Sequence, residues 1–157
     1  MIILGIDPGT ATTGYGIIEA QKSRLKLITF GCILSSPKFS TAERLSQIHK
    51  QLTALIKKYR PEKIAVEDIF FFKNLKTAIK VSQARGVILC AAAQAKTEVF
   101  EFTPLQIKQA VTGYGRADKL QMQKMVKVIL NLDQIPKPDD ASDALAAAIC
   151  LSQTNKS

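Results

Sequence analysis

At 157 residues the chain fits a single domain, residues 1–157, and 46% hydrophobic content excludes a disordered polymer. No apolar stretch approaches the roughly 18 residues of a membrane helix, and the opening MIILGIDPGT lacks a basic leader and breaks its apolar run with an acid, which argues against a signal peptide. The formal charge is +9, and the segment from residue 73 to 127, with ten bases against three acids, carries +7 of it; such a field suits a polyanion, although charge alone is equally consistent with a soluble basic surface.

Ile2 to Asp7 reads as a buried strand, closed by the turn signal Pro8-Gly9. Thr13 to Ala20 and Leu25 to Leu34 read as two more strands, and their short connections predict an antiparallel meander. Ser40-Thr41-Ala42-Glu43 is a capping box for a helix to about Tyr59, with Leu45, Ile48, Leu52, Leu55, Ile56 and Tyr59 on its apolar stripe. A strand follows from Lys63 to Phe70, then a long helix over about Leu75 to Ala95. The half of that helix from Val87 to Ala93 is apolar all round, so it is either central or a subunit interface. Val99 to Phe102 is a short strand. Thr103-Pro104 opens a helix to about Val111 as N-cap and first-turn proline. After the glycine-punctuated loop at 112–117, Asp118 to Leu132 and Asp139 to Ser152 are the last helices. The order βββαβαβααα predicts an α/β fold, a mixed sheet flanked by helices. Cys32, Cys90 and Cys150 are widely spaced and odd in number, and read as reduced packing residues of a cytoplasmic protein. His49 falls beside polar residues and reads as a surface histidine.

Four carboxylates stand where apolar runs end or a helix begins: Asp7, Glu67, Asp140 and Asp143. The strands ending near Asp7 and Glu67 are joined by a helical crossover, which makes them parallel neighbours with their ends on one sheet edge. Asp140 and Asp143 are three apart and share a helix face. If the last helix packs across that edge, all four acids meet. Four like charges converge only with compensation, and Mg²⁺, with its preference for oxygen ligands, supplies it. Two such ions can activate a water and stabilise the leaving oxygen of a phosphodiester. Singly, each acid has a plainer reading. Asp7 can be a turn residue, one of Glu67 and Asp68 a solvated side chain, and Asp139 or Asp140 a helix N-cap.

These residues carry a resemblance. LGIDPGTATTGYGII (4–18), IAVEDIFFFKN (64–74), QARGVI (83–88) and PDDASDALAAAI (138–149) resemble, in order, the motifs of the RuvC crossover-junction endodeoxyribonucleases, Holliday-junction resolvases of the RNase H-like superfamily. The resemblance implies an RNase H-like fold with a five-stranded mixed sheet. It also implies that Asp7, Glu67, Asp140 and Asp143 are the catalytic, metal-binding acids, with two Mg²⁺ per site and Mn²⁺ able to substitute. Phe70 matches the aromatic inserted at the junction centre, Lys108 and Lys119 match contacts to the DNA backbone, and Lys76 and Arg85 are weaker backbone candidates. Asp139 and Asp68 are not among the family's four acids. The chain departs from members with a basic tail, since only Lys156 is basic beyond residue 150.

The expected activity is therefore Mg²⁺-dependent, paired symmetric nicking of four-way junctions in recombination and repair. It implies a homodimer, a branch-migration motor of the RuvA and RuvB type, and no membrane. Three rivals stay open at this point. Another RNase H-like nuclease, acting on RNA or an RNA–DNA hybrid, would keep the acids and change the substrate. An actin-like ATPase or sugar kinase shares Asp7-Pro8-Gly9-Thr10 but needs two such domains. A DNA-binding module without catalysis has no use for the acids.

Overall fold

The computed structural model describes residues 1–22, 24–68 and 74–154. β1 (Ile2–Asp7), β2 (Thr12–Gln21) and β3 (Arg24–Leu34) form the expected antiparallel meander, in which Asp7 stands opposite Gly14. A helix, α1 (Thr41–Tyr59), crosses to β4 (Lys63–Glu67), which lies parallel to β1. A second, α2 (Leu75–Gln94), crosses to β5 (Glu98–Phe102), parallel to β4. The sheet order is β3-β2-β1-β4-β5. Then come α3 (Pro104–Thr112), α4 (Lys119–Ile129) and α5 (Asp139–Thr154). Element order and type agree with the sequence pattern throughout the described residues.

The helix ends follow the local chemistry. Ser40 Oγ accepts from Glu43 N at 3.3 Å while Glu43 Oε2 accepts from Ser40 N at 2.7 Å, a reciprocal cap worth about 1 kcal/mol. Arg60 in the left-handed region (φ 48°) and then Pro61 stop α1. Thr103 with Gln106 and Asp118 with Gln121 repeat the capping box at α3 and α4.

Two apolar layers sandwich the sheet, and strand alternation assigns each side chain to one of them. Leu4, Ile6, Ile64 and Val66 pack with Ile48, Leu52 and Ile56 of α1 and Ala84, Ile88 and Ala92 of α2. Ile3 and Ala65 pack on the opposite face with Leu145 to Leu151 of α5, joined by Ile107, Val111, Met122 and Val126 of α3 and α4. Period two then carries Asp7, four residues after Ile3, and Glu67, two after Ala65, to the α5 face. This parity is the first step in building the site.

Several expectations are corrected or narrowed. β4 ends at Glu67, although Asp68 N still donates to Phe102 O at 2.8 Å; the rest of the expected strand, Phe70 included, lies outside the described residues. The apolar half of α2 is not central all round. Ile88, Ala91 and Ala92 are buried against α1 and the sheet, whereas Cys90 and Ala93 are exposed, because a helix on a sheet face has a second, outward side. Cys90 is therefore not a packing residue of this chain, unlike the buried Cys150. Finally, α4 stops at Ile129 with Leu130 as its cap.

Candidate active site

The last helix lies across the sheet face, and its first turn reaches the edge where β1 and β4 end. Glycines make the close approach possible. A Cβ on Gly5 would collide with the Ala144 carbonyl, one on Gly14 with the Asp140 carbonyl, and one on Gly16 would stand 2.6 Å from Leu145 Cδ2. Helix and sheet therefore meet backbone to backbone. The Ala-rich stretch Ala144 to Ala148, buried throughout, completes the contact from the helix side.

This docking brings Asp140 and Asp143 to Asp7 and Glu67. Burial, followed by the charges of Glu67, Asp143 and Asp140 and a hydrogen bond with Glu67, pushes the Asp7 carboxyl up to about 9. Burial and then Asp143 push Glu67 up to about 7, opposed by the hydrogen bond from Asp7 and by Lys119 and Lys108. Asp143 is also raised, by burial above all, with Lys119 pulling the other way and Asp140 and Asp139 adding to the rise. Asp7 thus feels Glu67, Asp140 and Asp143, and Asp143 interacts with Glu67 and Asp140 as well. A protonated Asp7 hydrogen-bonded to Glu67 is what low-dielectric surroundings do to converging carboxylates without a counter-charge.

Lys119, the first residue of α4, stands 3.4 Å from Asp143 Oδ2 and 3.3 Å from Asp139 Oδ2. Burial works against its charge, but the two carboxylates outweigh it and raise its pKa. Lys108, half-buried on α3, acts on Glu67. Both lysines therefore sit at the acids. Lys76 is exposed in the first turn of α2, and Arg85 is ion-paired to Asp68 and Glu101. Asp139 has a different surrounding from Asp140. It accepts from Lys137 Nζ at 2.9 Å and Gln123 Nε2 at 3.0 Å, and these bonds with Lys119 hold it down to about 2. It is saturated with donors and anchors the start of α5 to α4.

The donor set fits divalent cations. Among the described residues Asp143 Oδ1 is buried without a hydrogen-bond partner, and a buried carboxylate oxygen is costly unless something pairs with it. Every candidate ligand is an oxygen, which suits Mg²⁺. As placed, no three His, Cys, Asp or Glu side chains among the described residues are grouped closely enough to hold one metal ion; Asp7 and Glu67 are hydrogen-bonded to each other. A cavity of about 860 Å³ at the other end of the sheet, lined by Ile56, Arg60, Pro61, Glu62, Ala91 and Thr97 among others, contains none of Asp7, Glu67, Asp140 and Asp143.

The sequence pattern did not reveal the brace on the turn after Asp7. Ser35 Oγ donates to the Thr10 carbonyl, Ser35 N donates to Ala11 O at 3.1 Å, and Arg44 Nε donates to Ser35 Oγ at 2.9 Å. Thr13 Oγ1 donates to Gly9 O at 2.6 Å. Ser35 is 6% exposed, and nothing local marks it, because its partners lie on other elements. The glycine platform did leave a signal, the alternation of Gly14 and Gly16 on one strand face. His49 is half-buried and ties α1 to α2, its Nε2 3.0 Å from Gln94 Oε1. No helix among the described residues is long and apolar enough to cross a membrane.

Comparison with known proteins gives a consistent neighbourhood. The family described as "Crossover junction endodeoxyribonuclease RuvC" matches residues 3–151. The protein of that name from Halothermothrix orenii is 55% identical over 150 residues, covering 96% of this chain and 91% of its own. That from Pelotomaculum thermopropionicum is 57% identical, covering 96% and 92%. Among solved structures, Thermus thermophilus RuvC in complex with a Holliday junction substrate superposes with a TM-score of 0.91 at 36% identity, over 96% of this chain and 92% of that one.

Proposed function

The chain belongs to the RuvC family of crossover junction endodeoxyribonucleases, with the RNase H-like fold of that family, and we propose that it resolves four-way DNA junctions by paired, symmetric, Mg²⁺-dependent nicks. The observation that carries the mechanism is the convergence of Asp7, Glu67, Asp140 and Asp143 beside a buried, unpartnered carboxylate oxygen.

In this reading the four acids hold two Mg²⁺, for which Mn²⁺ can substitute. Divalent cations so held supply charge stabilisation at the phosphodiester and favour the ionised form of water. The chain's own residues do the rest. Lys119 and Lys108 offset the excess negative charge and draw the DNA backbone to the edge. Lys76, exposed on α2, extends the basic track, whereas Arg85 is already committed to Asp68 and Glu101. Phe70 is the aromatic that enters the junction centre, where opened base steps accept stacking. Two copies of the chain are needed for two symmetric nicks, so the working form is a homodimer, with the outward face of α2 around Cys90 and Ala93 as the surface available for it. A branch-migration motor of the RuvA and RuvB type and a cytoplasmic location complete the proposal.

Nicking of end-labelled four-way junction, linear duplex and RNA–DNA hybrid, with Mg²⁺ or chelator, by wild type and Asp143→Asn, tests it. Paired nicks confined to the junction, lost with chelator and in the variant, are expected. Cutting of the hybrid alone would move the protein to a ribonuclease role.

A further inference from the structure

Arg85, in the middle of α2, reaches the back of β4. Its Nη2 meets Asp68 Oδ1 at 3.4 Å and also Glu101 Oε2, and its Nε is buried without a partner among the described residues. Glu101 stands opposite Val66 across the β4–β5 ladder, and Val66 faces α1 and α2. Both Asp68 and Glu101 pair with Arg85 of α2, which puts them on that same side. Glu67, between them in register with Phe102, points to the other side, where Asp7 and Asp143 are. One guanidinium thus grips the carboxylates on either side of Glu67 from behind, while the Asp68 amide is held by Phe102 O.

We propose that Arg85 is a positioning residue for Glu67: clamped on Asp68 and Glu101, it fixes the exit of β4 so that Glu67 projects into the acid cluster. The inference rests on the metal-dependent nuclease reading above. Partners of this kind, one step removed from a metal ligand, orient the ligand, and their loss typically costs about 10–100-fold in metal affinity or activity. The competing role is a direct contact with the DNA backbone. The two roles make opposite demands on Glu101. If Arg85 serves DNA, Glu101 restrains it, and removing that acid frees a cation and improves binding. If Arg85 serves Glu67, Glu101 is half of the clamp.

Glu101→Gln, which is nearly isosteric, is therefore the deciding variant, with Arg85→Lys and Arg85→Ala beside it. Three quantities are read: Mg²⁺ affinity by calorimetry without DNA, junction Kd in chelator, and kcat and KM for cutting. Glu101→Gln is expected to keep junction Kd within about 2-fold, since it removes no phosphate contact, yet to bind Mg²⁺ more weakly and lower kcat by about 10-fold or more. Arg85→Lys should recover part of what Arg85→Ala loses. Unchanged Mg²⁺ affinity and kcat in Glu101→Gln, or an Arg85→Ala defect confined to junction Kd and its salt slope, would overturn the proposal. If the wild type cut no junction, the nuclease reading would fail, and the Mg²⁺ calorimetry of Glu101→Gln would still decide the role of Arg85.

Discussion

Gly14 on β2 lies directly against the carbonyl of Asp140 on α5, with no room between them for a Cβ. The contact sets the height of the first helical turn above the sheet, and with it the approach of Asp140 and Asp143 to Asp7. Gly14→Ala should therefore do more than destabilise. Overpacking costs about 1–3 kcal/mol, and here the obstacle is rigid backbone. The thermal midpoint should fall, and Mg²⁺ should restore less of it than in wild type because the acids no longer converge. A variant that melts early but regains full cutting below its midpoint would show that the contact serves stability alone.

The raised carboxyls set a pH dependence with a definite sign. Asp7 binds its proton in the folded chain up to about 9, against an ordinary value of 3.8, and Glu67 up to about 7, against 4.5. Between those limits the folded state holds more protons than the unfolded one, so stability falls as pH rises. Thermal melts in chelator should show a midpoint that declines from about pH 4 toward 9. Asp7→Asn should flatten the decline, and Mg²⁺ should offset it most at the alkaline end, where fewer protons must leave. Calorimetry in buffers of different ionisation enthalpy should register proton release on Mg²⁺ binding. A midpoint equally flat in wild type and Asp7→Asn would contradict the burial of these charges.

Lys119 lowers the proton affinity of both Glu67 and Asp143. Lys119→Met should shift the acidic limb of the cutting-rate profile to higher pH, besides reducing the salt slope of junction binding by about 1. Lys119→Arg should keep the limb in place. A lower rate with an unmoved limb would leave Lys119 a phosphate contact only.

Ser35 joins Arg44 to the turn that follows Asp7. Ser35→Ala removes a buried donor and should cost about 1–3 kcal/mol, read as a lower urea midpoint. Loosening of the turn should also weaken Mg²⁺ binding, and Ser35→Thr should restore part of both. Loss of stability with unchanged Mg²⁺ affinity would confine the brace to folding.

Phe70→Ala should leave junction binding near the wild-type level and slow cutting, because the aromatic acts when the junction centre opens. Equal cutting rates for the two proteins would remove Phe70 from the mechanism.

Much of this architecture was legible in the chain itself. Branched apolar runs ending in Asp7 and Glu67 announced two strands, the Ser40 and Thr103 caps marked two helix starts, and the crossover between β1 and β4 forced their ends to one edge. These are local properties, set by alternation, capping and chain connectivity. Tertiary structure alone decided the rest. The seating of α5 on Gly5, Gly14 and Gly16, the grip of Arg85 on Asp68 and Glu101, and the Ser35–Arg44 brace each join residues from different elements. No periodicity encodes such pairings. They arise when close packing brings backbone and charge together, and the same packing removes the water that would let Asp7, Glu67 and Asp143 ionise independently.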